Sequence, residues 1–275
     1  MSLSDQTITV IGAGNIGRAL VGGLLAGNCL DPSQIRATRR NKYALEDLKK
    51  ALPGVGVGTD NPAAVSGATI VVLAVKPSNW LAVVKEIRDH VGPEVLIVSV
   101  LAGLTTAQIG HAFSPNQPII RTMPNTPMVV DCGATAISAG STASDEHMAL
   151  VQEMFEAVGN VERVPEYLMD AVTGLSGSGP AYVYMLIEAL TDAGVKQGLP
   201  RTIAFRLAKQ TVLGAARLAD KTNKHPAILR DEVTTPGGTA IAAIAELEKH
   251  GLRTMFIHAV ATATQRSKEL SQTSD

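Results

Sequence analysis

The sequence predicts an α/β protein in two parts, a strand-and-helix half over residues 1–164 and an all-helical half over 165–275. Three observations predict it. Short apolar runs alternate with amphipathic stretches up to Val164, the run IVVLAV (Ile70 to Val75) is apolar without alternation, and strand signals stop beyond Val164. An unbroken apolar run suits a strand covered on both faces, as in a parallel sheet whose crossovers are helices. With 45% apolar but only 3% aromatic residues, the core must be built from Ala, Val, Ile and Leu.

Strands are expected, in order, at Thr7–Ile11, Ile35–Thr38, Val55–Val57, Thr69–Ala74, Val95–Ser99, Ile119–Arg121 and Ala134–Ser138. Between them the periodicity turns helical, as at Asn15–Ala26, Tyr43–Lys50 and Ser78–His90. The second half reads as helices at Glu166–Val172, Ala181–Gln197, Ile203–Ala219, Ala227–Arg230, Ala240–His250 and Leu252–Leu270. The segment AYVYMLIEALTDAG (Ala181 to Gly194) is apolar nearly all round at its start, which an exposed amphipathic helix would not tolerate. A domain of about 110 residues is too small to surround it, so a second subunit is the expected source of burial.

Composition excludes several classes of partner. Net charge is −1 with both signs interleaved, so neither a nucleic-acid face nor a polybasic membrane surface is expected. Apolar runs stop well short of the roughly 18 residues that a membrane span needs. Cys29 and Cys132 lack disulfide-like spacing, and MSLSDQTITVIGAG lacks the pattern of a secretory signal; a cytoplasmic protein is expected. The six histidines are scattered, and HExxH, paired CxxC and clustered carboxylates are missing, so no metal site is expected. The stretch GLSGSGP (Gly174 to Pro180) matches a nucleophile elbow only loosely, because Ser178 stands where the second glycine belongs.

The chemistry-bearing motif is Gly12-Ala13-Gly14-Asn15-Ile16-Gly17, directly after the strand TITVI and opening a helix. In that context each glycine has a task. One makes the tight turn, one lets the backbone approach a pyrophosphate, and one lets helix and strand pack closely. Phosphates would sit at the helix N-terminus, where free N–H groups and the dipole favour negative charge. The first half therefore reads as a Rossmann-type dinucleotide-binding domain. Its second strand ends at Thr38 and runs into Arg39 and Arg40, where an NAD site would place a carboxylate for the ribose hydroxyls. A Thr and two arginines suit a 2′-phosphate instead, so NADP (NADPH) is expected, with NAD as the alternative. A solvated basic loop is the competing reading. What remains is a hydride-transfer scaffold with little acid–base machinery, suited to reducing an electrophilic C=N bond by positioning.

The run HPAILRDEVTTPGGTAIAAIAELEKHG (His225 to Gly251) closely resembles the signature of the pyrroline-5-carboxylate reductase family. The likeness continues through VIGAGNIG, AVKP (Ala74–Pro77), SVLAG (Ser99–Gly103), RTMPNTP (Arg121–Pro127) and GLSGSGPAY (Gly174–Tyr182). This resemblance implies reduction of L-1-pyrroline-5-carboxylate by NAD(P)H to L-proline. It also implies an all-helical dimerisation and substrate-binding domain that interleaves with its twin, in a homodimer that often assembles further into a pentamer of dimers, a decamer. On matching positions, Asn61 and the AVKP residues Val75, Lys76 and Pro77 would line the adenosine side of the cofactor, with Ala102 also in contact. Met123, Pro124 and Asn125 would lie nearer the nicotinamide, with Ser176 in the glycine-serine run. Each has a plainer reading as well: Pro77 starts a helix, Asn61 caps one, and Ser176–Gly179 is a hinge.

The stretch VTTPGGTA, from Val233 through Gly237, Gly238 and Thr239 to Ala240, interrupts the helical half with its strongest breakers. Backbone N–H groups freed there are expected to form a nest for the substrate's carboxylate. Members of the resembled family commonly read PGGTT or PGGAT, which puts a threonine hydroxyl near the ring nitrogen; here that position is Ala240. Thr239 stands one residue earlier and points elsewhere on a helix, so the proton on nitrogen is expected from water or from a substrate bound as the iminium. The nearest alternative is a 3-hydroxyacid dehydrogenase, which needs a catalytic lysine; Lys196 and Lys209 are placed for it by location only. A non-catalytic NADP-binding regulator is the other alternative.

Overall fold

Eight strands lie in one sheet in the computed structural model, which describes residues 2–272. They are β1 (Ile8–Ile11), β2 (Ile35–Thr38), β3 (Gly56–Gly58), β4 (Ile70–Leu73), β5 (Leu96–Ser99), β6 (Ile119–Met123), β7 (Gly133–Ala139) and β8 (Gly159–Arg163), in the order β3-β2-β1-β4-β5-β6-β7-β8. Strands β3 to β6 are mutually parallel; Val10 of β1, for instance, sits between Ala37 and Val72. The sheet is not parallel throughout. β7 runs antiparallel to β6, because only Pro124 to Cys132 connect them, too short for a helical crossover. β8 pairs with β7 at the edge; its sequence GNVER is short, polar and half-exposed, so periodicity did not reveal it.

Side chains alternate between two buried layers. On one face Ile8, Val10, Ile70, Val72, Leu96 and Val98 meet Leu20, Val21 and Leu24 of α1 (Asn15–Ala26). The same face meets Val151, Met154 and Phe155 of α6 (Asp145–Glu156). Helices α2 (Lys42–Ala51) and α3 (Asn61–Val65) follow β2 and β3. On the other face Ile11, Val71, Leu73 and Ile97 meet Val83, Val84 and Ile87 of α4 (Trp80–Ile87) and Ile109 of α5 (Thr106–Ala112). Each such side chain, wholly removed from water, contributes about 1.5–3 kcal/mol before entropy is set against it.

By contacts the chain divides into two units, residues up to Ser178 with those from Ala261 onward, and Gly179–Val260. The helical run Glu166–Gly177, which includes α7 (Met169–Val172) and a wider turn at Thr173–Gly177, thus groups with the sheet. A buried cation explains why. Arg121 of β6 is only 4% exposed and lies 3.6 Å from Glu166 and 3.8 Å from Asp170. Glu166 also accepts from the Thr106 N–H and hydroxyl, both at 2.7 Å, and Asp170 accepts from the Ser267 hydroxyl at 2.7 Å. The last turns of α12 (Leu252–Gln272) are held to the first unit in this way.

The second unit contains α8 (Gly179–Lys196), α9 (Arg201–Thr222), α10 (Pro226–Glu232), α11 (Thr239–Lys249) and the start of α12. α8 and α9 approach closely through small residues; a Cβ on Gly194 would lie 3.0 Å from that of Ala204. In residues 179–260 only Thr191, Ala204 and Ala208 are buried. Tyr184, Met185, Leu190, Leu213 and Ile257 are exposed on their helices. This unit does not bury its own apolar faces.

One titrating group is built into a helix cap. The Ser144 hydroxyl accepts from the His147 N–H, and His147 Nδ1 accepts from the Ser144 N–H at 3.1 Å. Burial, partly countered by Glu146, pushes the His147 imidazole below its ordinary value of 6.5. The folded chain therefore binds this proton less readily than the unfolded chain, so the contribution is intact above pH 6.5 and is lost as pH falls below it. Urea unfolding at pH 7.5 and at successively lower pH should show wild type losing stability below that point, with a flatter profile for His147→Gln.

Candidate active site

The carboxyl ends of the parallel strands gather most of the sequence-predicted cofactor residues. The chain leaves β1 to one side and β4 to the other, and crevices of this kind at a reversal of strand order bind ligands. Gly12 follows β1 with φ +87, and a Cβ there would lie 2.6 Å from the Val75 side chain and 2.9 Å from the Ala74 carbonyl. No other residue type fits. A Cβ on Gly17 would lie 2.8 Å from Val10, so this glycine seats α1 against its strand. Gly14 differs. It caps α1, and a Cβ there would meet only the Gly12 carbonyl, at 3.9 Å. The space over the helix start is open, and the N–H groups of Asn15, Ile16 and Gly17 have no carbonyl in the helix to bond.

Around this turn the Thr38 carbonyl accepts from Gly12 and Ala13, at 3.1 and 2.9 Å, which ties the end of β2 to the motif. Thr38 is buried, Arg39 half-buried and Arg40 exposed. Among the described residues neither arginine joins an ion pair, so both guanidinium groups are available to an anion. Val75 packs on Gly12, while Lys76 and Pro77 are exposed on a single turn, Pro77–Asn79, before α4. Asn61 does not cap α3. Asp60 does, accepting from the Ala63 N–H at 3.0 Å, with Pro62 at the second position. That leaves the Asn61 amide, 6% exposed, to donate to Glu86 at 3.0 Å.

At the end of β6 the segment Met123-Pro124-Asn125 meets the glycine-serine run. Asn125 donates from its amide to the Ser176 carbonyl at 3.0 Å and accepts from the Ala134 N–H at 2.9 Å. A Cβ on Gly177 would lie 2.5 Å from the Met123 methyl, so only glycine allows that approach. The Ser176 hydroxyl donates to the Val172 carbonyl at 3.2 Å, which leaves its oxygen as an acceptor. Asn125 therefore acts as a strut between loops, with both ends of its amide engaged. Ala102 lies half-buried in the turn after β5, beside Gly103 at φ +76.

In the second unit α10 ends at Glu232 and α11 begins at Thr239, with Val233 exposed between them. Gly237 has φ +66, a left-handed conformation that favours glycine. Gly238 caps α11, but its N–H already bonds the Thr235 carbonyl at 2.9 Å. The expected nest therefore narrows to the N–H groups of Thr239, Ala240 and Ile241, since Ala242 bonds the Gly238 carbonyl. Lys209, weighed as a catalytic lysine, lies 5.7 Å from the centre of the Phe205 ring.

Sequence reasoning missed Glu86 and the carboxylate pair around Arg121. Neither lies in a motif, and only the three-dimensional neighbourhood reveals them. Among the described residues no cluster of three His, Cys, Asp or Glu could hold a metal ion, and no helix is long and apolar enough to cross a membrane.

Comparison with known proteins finds relatives along nearly the whole chain. Residues 166–270 match the family described as pyrroline-5-carboxylate reductase dimerisation, and residues 7–103 match NADP oxidoreductase coenzyme F420-dependent. The pyrroline-5-carboxylate reductase of Methanosarcina acetivorans is 41% identical over 98% of this chain and 100% of its own. A solved pyrroline-5-carboxylate reductase from Coxiella burnetii is 40% identical, covers 97% of this chain and 98% of its own, and superposes with a TM-score of 0.91. A Plasmodium falciparum pyrroline carboxylate reductase with NADP bound is 27% identical, covers 98% and 99%, and has a TM-score of 0.86. With its motifs in order along a shared fold and nearly its whole length aligned, this chain belongs to the pyrroline-5-carboxylate reductase family.

Proposed function

We propose that this chain reduces L-1-pyrroline-5-carboxylate to L-proline with NADPH as the hydride donor, the last step of proline biosynthesis. The observation that carries the cofactor half is the open helix start at Gly14, followed at the end of β2 by Arg39 and Arg40, neither of which joins an ion pair among the described residues. A dinucleotide fits there on this chain's own evidence. The first-turn amides of α1 would hold the pyrophosphate, and Thr38, Arg39 and Arg40 the 2′-phosphate. When bound, the nicotinamide supplies the hydride. NADP in the Plasmodium falciparum relative supports the same choice.

The chain's own groups position and shield. Met123, packed against Gly177, and the buried Pro124 would exclude water from the reacting carbon, and Asn125 keeps the two loops together. The N–H groups of Thr239, Ala240 and Ile241 would hold the substrate carboxylate, with the dipole of α11 adding attraction. Ala240 offers no hydroxyl, so the ring nitrogen takes its proton from water or arrives protonated, and hydride addition then yields the neutral ring amine.

A homodimer belongs to the same proposal. The apolar faces of α8, α9 and α12 that the second unit leaves exposed would be covered by a second copy. A cytoplasmic location is part of it too, supported by Cys29 and Cys132 both being free.

The function is tested by following NADPH oxidation with pyrroline-5-carboxylate, against small aldehydes and 3-oxoacids. Turnover of the carbonyl compounds without turnover of the imine would overturn it. Gly14→Ala should shift the melting temperature by no more than about 3 °C, since its Cβ meets only the Gly12 carbonyl, at van der Waals distance. The same change should raise the dissociation constant for NADPH at least about tenfold. Ala240→Thr should change kcat by less than about tenfold, or roughly 1.4 kcal/mol; a gain of several hundredfold would show that a missing hydroxyl limits the rate.

A further inference from the structure

The geometry points to Glu86 as a positioning residue that orients the Asn61 amide, so that its carbonyl oxygen takes a ribose hydroxyl of the cofactor. The inference rests on the cofactor reading above and deepens it. Asn61 stands three residues past the end of β3, where the Arg39 N–H bonds the Gly58 carbonyl, at the same carboxyl edge of the sheet as Gly12 and Thr38. Its side chain is almost wholly buried, and its Nδ2 lies 3.0 Å from Glu86 Oε2.

A carboxylate can only accept hydrogen bonds. Whichever way the amide was first placed, Glu86 obliges it to turn its NH₂ toward α4. The carbonyl oxygen is then the group left over, and among the described residues no donor reaches it. An acceptor of this kind takes a hydrogen bond from a hydroxyl. Against a phosphate oxygen, itself an acceptor, it is repulsive. Recognition of the 2′-phosphate is left to Thr38, Arg39 and Arg40, as proposed above. Asn61 serves a hydroxyl common to NADPH and NADH, the 3′ hydroxyl of the adenosine ribose. Glu86 is exposed on α4 and has no other role in the fold that the hydrogen bonds indicate.

The test is a fluorescence titration of NADPH and of NADH, with steady-state kinetics alongside, on four full-length proteins. They are wild type, Glu86→Ala, Asn61→Asp, and Asn61→Asp with Glu86→Gln. Glu86→Ala should weaken both cofactors by the same factor, about fivefold, through KM with kcat at saturation held. Asn61→Asp sets two carboxylates face to face and should weaken both by more than about tenfold. The double variant restores a donor at 86 and keeps an acceptor at 61, with wild-type net charge. It should return both cofactors to within about threefold of wild type. Loss confined to one cofactor, unchanged binding in Glu86→Ala, or a double variant as poor as Asn61→Asp would overturn the assignment. Wild-type protein that binds neither cofactor would overturn the proposed function itself, and this inference with it. Melting curves on each variant separate a folding defect from a binding one.

Discussion

A single guanidinium group organises much of the first unit. Arg121 lies on a central strand with almost no access to water, and a charge so placed costs several kcal/mol unless it is paired. Glu166 and Asp170 supply the counter-charge, and both come from the helical run after β8. Those carboxylates are themselves occupied by Thr106 at the start of α5 and by Ser267 near the end of α12. Satisfying one buried cation thus brings four distant segments of the chain to one place. Two residues beyond Arg121, Met123 begins the loop that packs on the Ser176–Gly177 turn.

Close approach is the second constraint, and it is met by leaving side chains out. At Gly12 and Gly17 the missing Cβ atoms let the first turn of α1 lie directly on β4 and β1. Gly14 has no such neighbour, so its bareness serves no packing need and is left for a ligand. The same logic recurs at Gly177 against Met123 and in the left-handed Gly237. Three glycines in one motif therefore have two different physical causes, which spacing alone does not separate.

The helical unit poses the opposite problem. α8 and α9 pack through Thr191, Ala204 and Ala208, residues too small to make a core, while larger apolar side chains stay exposed. Covering those faces would be favourable, since the free energy scales with apolar area removed from water. Those exposed side chains are the surface that the proposed second copy would cover.

The alternation of strands and helices was legible in residues 1–164, because a buried parallel sheet imposes apolar runs and helical crossovers on the chain. The glycine turn, the basic end of β2 and the break before α11 were legible for the same reason: each needs particular residue types at fixed spacing. The reversal of β7 was not, since direction depends on loop length rather than on side-chain pattern. β8 escaped because an edge strand needs few apolar residues. The Asn61–Glu86 bond and the Arg121 network were decided only by tertiary structure. Local pattern records which face a residue turns to the core; which polar group it meets there is set by how distant segments pack.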